Sequence, residues 1–288
     1  MPLNVDALRD WVFEPRQQTY TDRDTMLYAL SVGFGADPMN LAELPFVYER
    51  GLKVVPSMAV VLCHPGPWIG DPRTGATRSK VVHGEQRLSF HAPLPAAGTL
   101  LARSRVIGVE DKGADKGALV HVERVISDAA TGTVLATNVH TSFCRADGGF
   151  GESFGPVFTP HELPARAPDL VVDTPTRADA ALLYRLNVDR NPLHVDPAAA
   201  TAAGYPRPIL HGLCTYGIGA RLLITELLDH DPDRLLALDV RFSSAVFPGE
   251  TLSFEFWQDG EVVSFQAHVR ARGKKVLDNG RALLTPRG

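Results

Sequence analysis

Cysteine is scarce: three residues, Cys63, Cys144 and Cys214, in a chain of 288. They are widely separated, odd in number and in no CxxC or Cys/His spacing, which argues against a disulfide framework and a structural zinc site and predicts a reducing compartment. A basic block is also missing, and the formal net charge of -4 describes a mildly acidic surface. Nucleic acid and membrane surfaces are therefore not expected partners. No apolar run is long enough to span a bilayer. The opening MPLNVDALRDWVF is charged and lacks an uninterrupted apolar stretch, so no secretory signal is expected there. The final TPRG carries no Ser-Lys-Leu address. A cytoplasmic location fits these absences. With 44% hydrophobic and 22% charged residues, the chain can bury the core of one large domain or two smaller ones.

The sequence repeats itself. LYALSVG (27–33) lies over LYRLNVD (183–189) at an offset of 156, with Leu27/Leu183, Tyr28/Tyr184, Leu30/Leu186 and Val32/Val188 identical. Further on, QRLSFHAPLPAAGTL (86–100) lies over VRFSSAVFPGETL (240–252) if two residues are treated as insertions, matching Arg87 with Arg241 and Thr99-Leu100 with Thr251-Leu252. Two matches in the same order point to two copies of one fold. The Gly/Pro-rich stretch at 148–169 marks the junction, giving an N-terminal repeat over 1–150, a linker over 151–169 and a C-terminal repeat over 170–288.

Each half reads as helix first and long strands later. Residues 235–286 alternate in several stretches, with turns expected at Pro248-Gly249, Asp259-Gly260 and Arg272-Gly273. Residues 86–145 do likewise. PILHGLCTYGIGARLLITELL (208–228) is apolar at almost every helical angle, as expected of a helix buried on most sides, with Pro208 as its opener. The predicted class is α+β: a double hot dog of two antiparallel sheets, each around a central helix. Only the C-terminal copy has the complete helix. Six prolines between Gly33 and Gln86 break the N-terminal counterpart, leaving its groove less filled and open to a ligand.

The polar set of the C-terminal copy is DRNPLH (189–194). Alone, Asp-x-Asn-Pro-x-His has a plain reading as a capped turn. Two features weigh against that. At the offset of 156, Asp189 faces Gly33, Asn191 faces Gly35 and His194 faces Pro38, so only one copy carries the set. Downstream lies Gly212 in the first helical turn, where N–H groups lack intrahelical partners and the dipole favours negative charge. An acid, an imidazole and an unhindered N–H suit chemistry in which charge develops on a carbonyl oxygen while a proton moves nearby.

YRLNVDRNPLHVDP followed by YPRPILHGLCTYGIGAR resembles the type-2, (R)-specific enoyl-CoA hydratases of the MaoC-like dehydratase group. LYALSVGFG, HGEQRLSF, Asp111-Lys112-Gly113 and VRFSSAVFPGETL are similar to its eukaryotic-type members. The resemblance implies reversible hydration of a trans-2-enoyl-CoA to a (3R)-3-hydroxyacyl-CoA, without metal or redox cofactor. It assigns Asp189 and His194 as the pair that activates water, Asn191 as the carboxamide that orients them and Gly212 as the N–H donor to the thioester carbonyl. It also places His83, Gly84, Lys112, Arg190, Pro192, Leu193, His211 and Phe242 along the acyl-CoA site, with Lys112 toward the CoA phosphates, and it allows a homodimer. One departure stands out: Asn187-Val188 replaces the family's Ser-Gly, and a glycine at positive φ would be poorly replaced by a β-branched residue.

Other readings follow from the same residues. A hot-dog thioesterase would share fold and ligand, and a non-catalytic acyl-CoA-binding module is the reading that Val188 favours. A metal site built on His194, Asp196 and His211 matches no established ligand spacing. His64, His91, His121, His140, His161, His230 and His268 read as strand, loop or surface residues. Phe254, Phe256 and Trp257 read as sheet packing.

Overall fold

A computed structural model describes residues 3–286. The N-terminal half contains α1 (Val5–Arg9), β1 (Arg16–Tyr20), α2 (Asp22–Ser31), α3 (Leu44–Val47), a 3-10 turn over Pro56–Val60, and the strands β2 (Val81–Phe90), β3 (Gly98–Asp111), β4 (Ala118–Asp128) and β5 (Val134–Cys144). The C-terminal half contains β6 (Leu170–Pro175), α4 (Ala180–Tyr184), α5 (Pro197–Ala202), α6 (Gly212–Leu222) running into a π-helical turn over Leu223–Leu227, then β7 (Leu235–Phe242), β8 (Thr251–Asp259), β9 (Val262–Val269) and β10 (Lys274–Leu284). Strand order is β1-β3-β4-β5-β2-β7-β10-β9-β8-β6. Outward from the centre, 2-5-4-3-1 on one side matches 7-10-9-8-6 on the other, the same path drawn twice.

The two expected sheets meet edge to edge through β2 and β7 and form one ten-stranded sheet. Antiparallel pairing runs from Glu85 opposite Arg241 to Ser89 opposite Ala237, with Gln86 opposite Val240. Gln86 and Val240 are also counterparts in the sequence repeat, so a pseudo-two-fold axis passes beside this pair. The helices obey the same symmetry. Tyr28 and Tyr184, equivalent in the repeat, lie with ring centroids 6.1 Å apart, and Asn187 Nδ2 donates to the hydroxyl of its counterpart Ser31 at 3.0 Å.

Local chemistry differs from expectation in two places. A short edge strand precedes the helix in each half, β1 and β6, whose sequences do not alternate clearly. Between β1 and α2, Thr21 is the N-cap, and Asp24 accepts from the Thr21 N–H at 2.8 Å and from its hydroxyl at 2.9 Å. Pro208 does not open α6, which starts at Gly212 after an extended His211, because Leu210 N–H bonds Val246 O at 2.7 Å and holds the preceding segment along the sheet.

The fillings of the two halves differ most. Gly212 and Pro56 are equivalent at the offset of 156, yet one opens a long helix and the other a five-residue turn, all of it buried. Arg124, 5% exposed, ends that turn by donating to Ala59 O at 3.2 Å and Val60 O at 2.8 Å. The linker is an ordered strap over the face of the sheet away from α6. Phe154 bridges Val109, Phe158 packs edge-on to His121 at 5.0 Å, and the Trp257 indole donates to Arg166 O at 2.8 Å. Among the described residues, no helix is long and apolar enough to cross a membrane.

Close contact between α6 and α2 depends on small residues. A Cβ on Gly217 would stand 2.5 Å from Val32 Cγ1 and 3.0 Å from Tyr28 Oη. Overpacking here lies at the seam between the copies. Gly217→Ala is expected to lower unfolding free energy by about 1–3 kcal/mol, read as a lower midpoint in urea, despite alanine's better helix propensity.

Candidate active site

Three segments converge at the N-terminus of α6. The first is the loop after α4. Asn191 holds it in shape twice: its N–H donates to Asp189 Oδ1 at 3.0 Å, and its side-chain oxygen accepts from Leu193 N–H at 3.1 Å as N-cap of the turn Pro192–His194. That turn swings His194 into the protein, 8% exposed, while Asp189 keeps 47% of its side-chain surface open. His194 Nδ1 lies 2.8 Å from Ile209 O. A carbonyl can only accept, so Nδ1 carries the proton and Nε2 presents a lone pair. Nε2 faces Asp189 Oδ2 at 3.8 Å, too far for a direct hydrogen bond.

The second segment is His211-Gly212. His211 Nε2 lies 3.1 Å from Asp189 O, and its ring stacks on His194 with centroids 3.6 Å apart and a tilt of 24°. Gly212, first residue of α6, has an N–H with no intrahelical acceptor. A Cβ there would stand 3.1 Å from the Phe242 ring. A side chain there would crowd Phe242 on one side, while the glycine backbone stays partly open on the other.

The third segment comes from the other half of the molecule. His83, in β2, packs against Phe242 at 4.5 Å and His140 at 3.8 Å between centroids. Gly84 is the extra residue where the β2·β5 register slips between His83 and Glu85; its Cβ would press on Phe143 Cβ at 3.3 Å. The bulge turns His83 toward the cleft. Burial pushes His83 down to about 3 and His64 to about 4, and the Asp189 carboxylate pulls both partly back up. His140 is held well below its usual value, by burial first and by His83 next. The wall opposite the Asp189–His194 loop is thus a set of neutral imidazoles.

The structure brings together Asp189, Asn191, His194, His211, Gly212, Phe242, His83 and Gly84. Pro192 and Leu193 form the turn that carries His194, and Arg190 is exposed beside Asp189. Lys112 lies elsewhere, on the β3–β4 hairpin, with its ammonium 2.5 Å from Glu110 and its charge acting on His121. His64 and His140 are the residues that the sequence did not mark. His140 is placed by strand register, opposite Gln86, and no spacing in the chain announces it. Val188 takes no positive φ, so the loop accommodates a β-branched residue without left-handed strain.

Donor atoms of Asp189, His194 and His211 fall within 4.8 Å of one another, a trio that includes Asp189 rather than Asp196, whose carboxylate caps α5 at Ala198 N–H. The trio does not suit a metal. Stacked rings send their in-plane lone pairs side by side instead of converging, and His211 Nε2 is already a donor to Asp189 O.

In the N-terminal copy the matching place is filled by Arg221, which donates to Val32 O at 3.1 Å beside Gly33 and approaches Glu43 at 4.0 Å. A cavity of about 120 Å³ lies between the Pro56–Val60 turn and the segment leading to Asp189, lined by Met58, Val61, Leu62, Leu27, Leu186 and Asn187 among others. A cavity of about 300 Å³ sits at the far end of the central helix, by Lys53, Phe90, Asp231 and Leu235, and shares no lining residue with the site.

Residues 160–280 match the family model of the MaoC like domain, and residues 18–146 match that of the MFE-2 hydratase 2 N-terminal domain. This chain belongs to the MaoC-like dehydratase family. It is 41% identical over 282 residues to 3-hydroxyacyl-thioester dehydratase Y of Mycobacterium tuberculosis, covering 93% of this chain and 94% of that protein. It is 37% identical to enoyl-CoA hydratase ChsH3 of the same organism, covering 99% of each. The crystal structure of a MaoC-like dehydratase from Phytophthora capsici superposes with a TM-score of 0.87 at 33% identity, covering 99% of this chain and 100% of that one. The double hot-dog architecture of these MaoC-like proteins is the one described above.

This MaoC-like site has a cost in acid. Unfolded histidines take up protons near pH 6.5, whereas burial holds His64 and His211 to about 4 and His83 to about 3 in the fold. Because these folded values are depressed, the stability they contribute is complete above about pH 6.5 and is lost as pH falls through that window toward 4. Each imidazole removes about 1.4 kcal/mol per pH unit there. Urea midpoints measured at pH 7.5, 6 and 5 are expected to fall steeply below 6; equal midpoints at 7.5 and 5 would contradict neutral burial.

Proposed function

We propose that this chain catalyses the reversible hydration of a trans-2-enoyl-CoA to a (3R)-3-hydroxyacyl-CoA. The observation that carries the reading is the 3.8 Å gap between the His194 Nε2 lone pair and Asp189 Oδ2, at the open N-terminus of α6. A water molecule bridging these atoms gives one proton to the pair as its oxygen bonds to C3, and its second proton stays on the new hydroxyl. The proton taken by the pair is passed to C2, so the pair ends as it began, and negative charge building on the thioester oxygen in between falls toward the Gly212 N–H and the positive end of the helix. Asn191 acts through shape, by fixing both Asp189 and the turn that presents His194. His83, Gly84 and Phe242 form the opposite wall. The names of the relatives, an enoyl-CoA hydratase and a 3-hydroxyacyl-thioester dehydratase, support a hydro-lyase. Three free, buried cysteines fit a cytoplasmic enzyme.

The binding-module reading loses its main support with the unstrained Val188. Hydration removes the conjugated enoyl thioester absorbance, so crotonyl-CoA and a medium-chain trans-2-enoyl-CoA are the substrates to follow. Wild type is expected to bleach the absorbance and to yield a product oxidised by an (R)-specific dehydrogenase. Asp189→Asn and His194→Gln are each expected to lower kcat at least about 100-fold, with thermal midpoints close to wild type. Release of free thiol together with the free enoic acid would instead identify a thioesterase.

A further inference from the structure

His211 is 2% exposed, yet it holds no position from which its ring edge reaches the open cleft as Asp189 does. It touches both Asp189 and His194, with Tyr184 alongside. The Nε2–H donates to Asp189 O at 3.1 Å, one ring face covers His194 at 3.6 Å, and Tyr184 packs beside it at 5.1 Å. Since Nε2 carries the hydrogen, Nδ1 is a lone pair, and that atom is buried without a partner. A second proton on this ring would therefore be buried with no acceptor, which costs heavily.

We infer that His211 is a positioning residue, with its N–H fixing the main chain under the Asp189 carboxylate and its ring sealing His194 from water. This rests on the hydratase reading of the site. The two tasks are separable. Asp189 stands on an exposed loop, and the bond from His211 ties that loop to the start of α6, one residue before Gly212; acid and oxyanion donor are thereby kept in register. The stacked ring meanwhile contributes to the desolvation that lowers the His194 value, against the opposing pull of Ile209 O and Asp189. The charged and titratable groups facing His211 are His194, Asp189 and Arg185, with Tyr184 alongside; protonation of either imidazole opposes that of the other. His211 stays neutral while His194 exchanges protons.

Two variants divide the roles. His211→Phe keeps a flat ring over His194 and removes the donor. His211→Gln keeps an N–H of similar reach and removes the ring. With crotonyl-CoA as substrate, His211→Phe is expected to lower kcat about 10- to 100-fold, as misplacement of a reacting group does, with KM within about threefold and the acid limb of kcat/KM unmoved. His211→Gln is expected to move that acid limb upward by about half a pH unit or more as water reaches His194, with a smaller loss of kcat. Wild-type kcat in folded His211→Phe, or an unshifted acid limb in His211→Gln, overturns the positioning role while leaving the hydratase intact. If His211→Phe does not fold, the acid limb of His211→Gln decides alone. A wild type inert on every enoyl-CoA tried overturns the reaction and the role together.

Discussion

The antiparallel pairing of β2 with β7 is the constraint from which the site follows. Five residues of each strand, Glu85 to Ser89 and Ala237 to Arg241, lock the two copies about a pseudo-two-fold axis. Because the strands run oppositely, the start of β2 lies beside the end of β7, and His83 of one copy meets Phe242 of the other. Phe242 in turn packs on Gly212. One half supplies the Asp189 carboxylate, the His194 imidazole and the helix N-terminus, and the other supplies the facing wall. Neither half encloses the cleft alone.

Symmetry makes the differences between the halves interpretable. At equivalent positions one copy has Asp189, Asn191 and His194, and the other has Gly33, Gly35 and Pro38. Gly33 and Gly35 are turn residues with φ of 101° and 72°, and the space near them is taken by Arg221 with Glu43. His64, which feels Asp189, stands one residue from the repeat equivalent of Arg221. Neighbouring positions along the central segment thus bear an arginine against the Gly33–Gly35 turn in one copy and a neutral imidazole near the Asp189 loop in the other.

The duplication, the buried C-terminal helix, the long strands and the acid-imidazole loop were legible because each rests on local pattern: identical residues at a fixed offset, alternation, or an unusual set of side chains in six positions. Features that depend on which strands meet were not. His140 reaches the cleft only through its register opposite Gln86, and the Gly84 bulge that turns His83 inward has no local mark. Short edge strands β1 and β6 escaped because each has only five or six residues, at least half of them exposed, and RQQTY of β1 offers one apolar position. Lys112 was placed by motif likeness alone, and in the fold its ammonium pairs with Glu110 on the β3–β4 hairpin.

Arg124 gives the shortened N-terminal turn a permanence that its length alone would not. Where a longer helix would continue, the carbonyls of Ala59 and Val60 are taken by a buried guanidinium, and burial lowers its value to about 10. Continuing the turn as an α-helix would give those carbonyls intrahelical partners and leave the guanidinium buried without them. The short turn and the buried arginine thus hold one another in place, and the space beside them is set jointly by both.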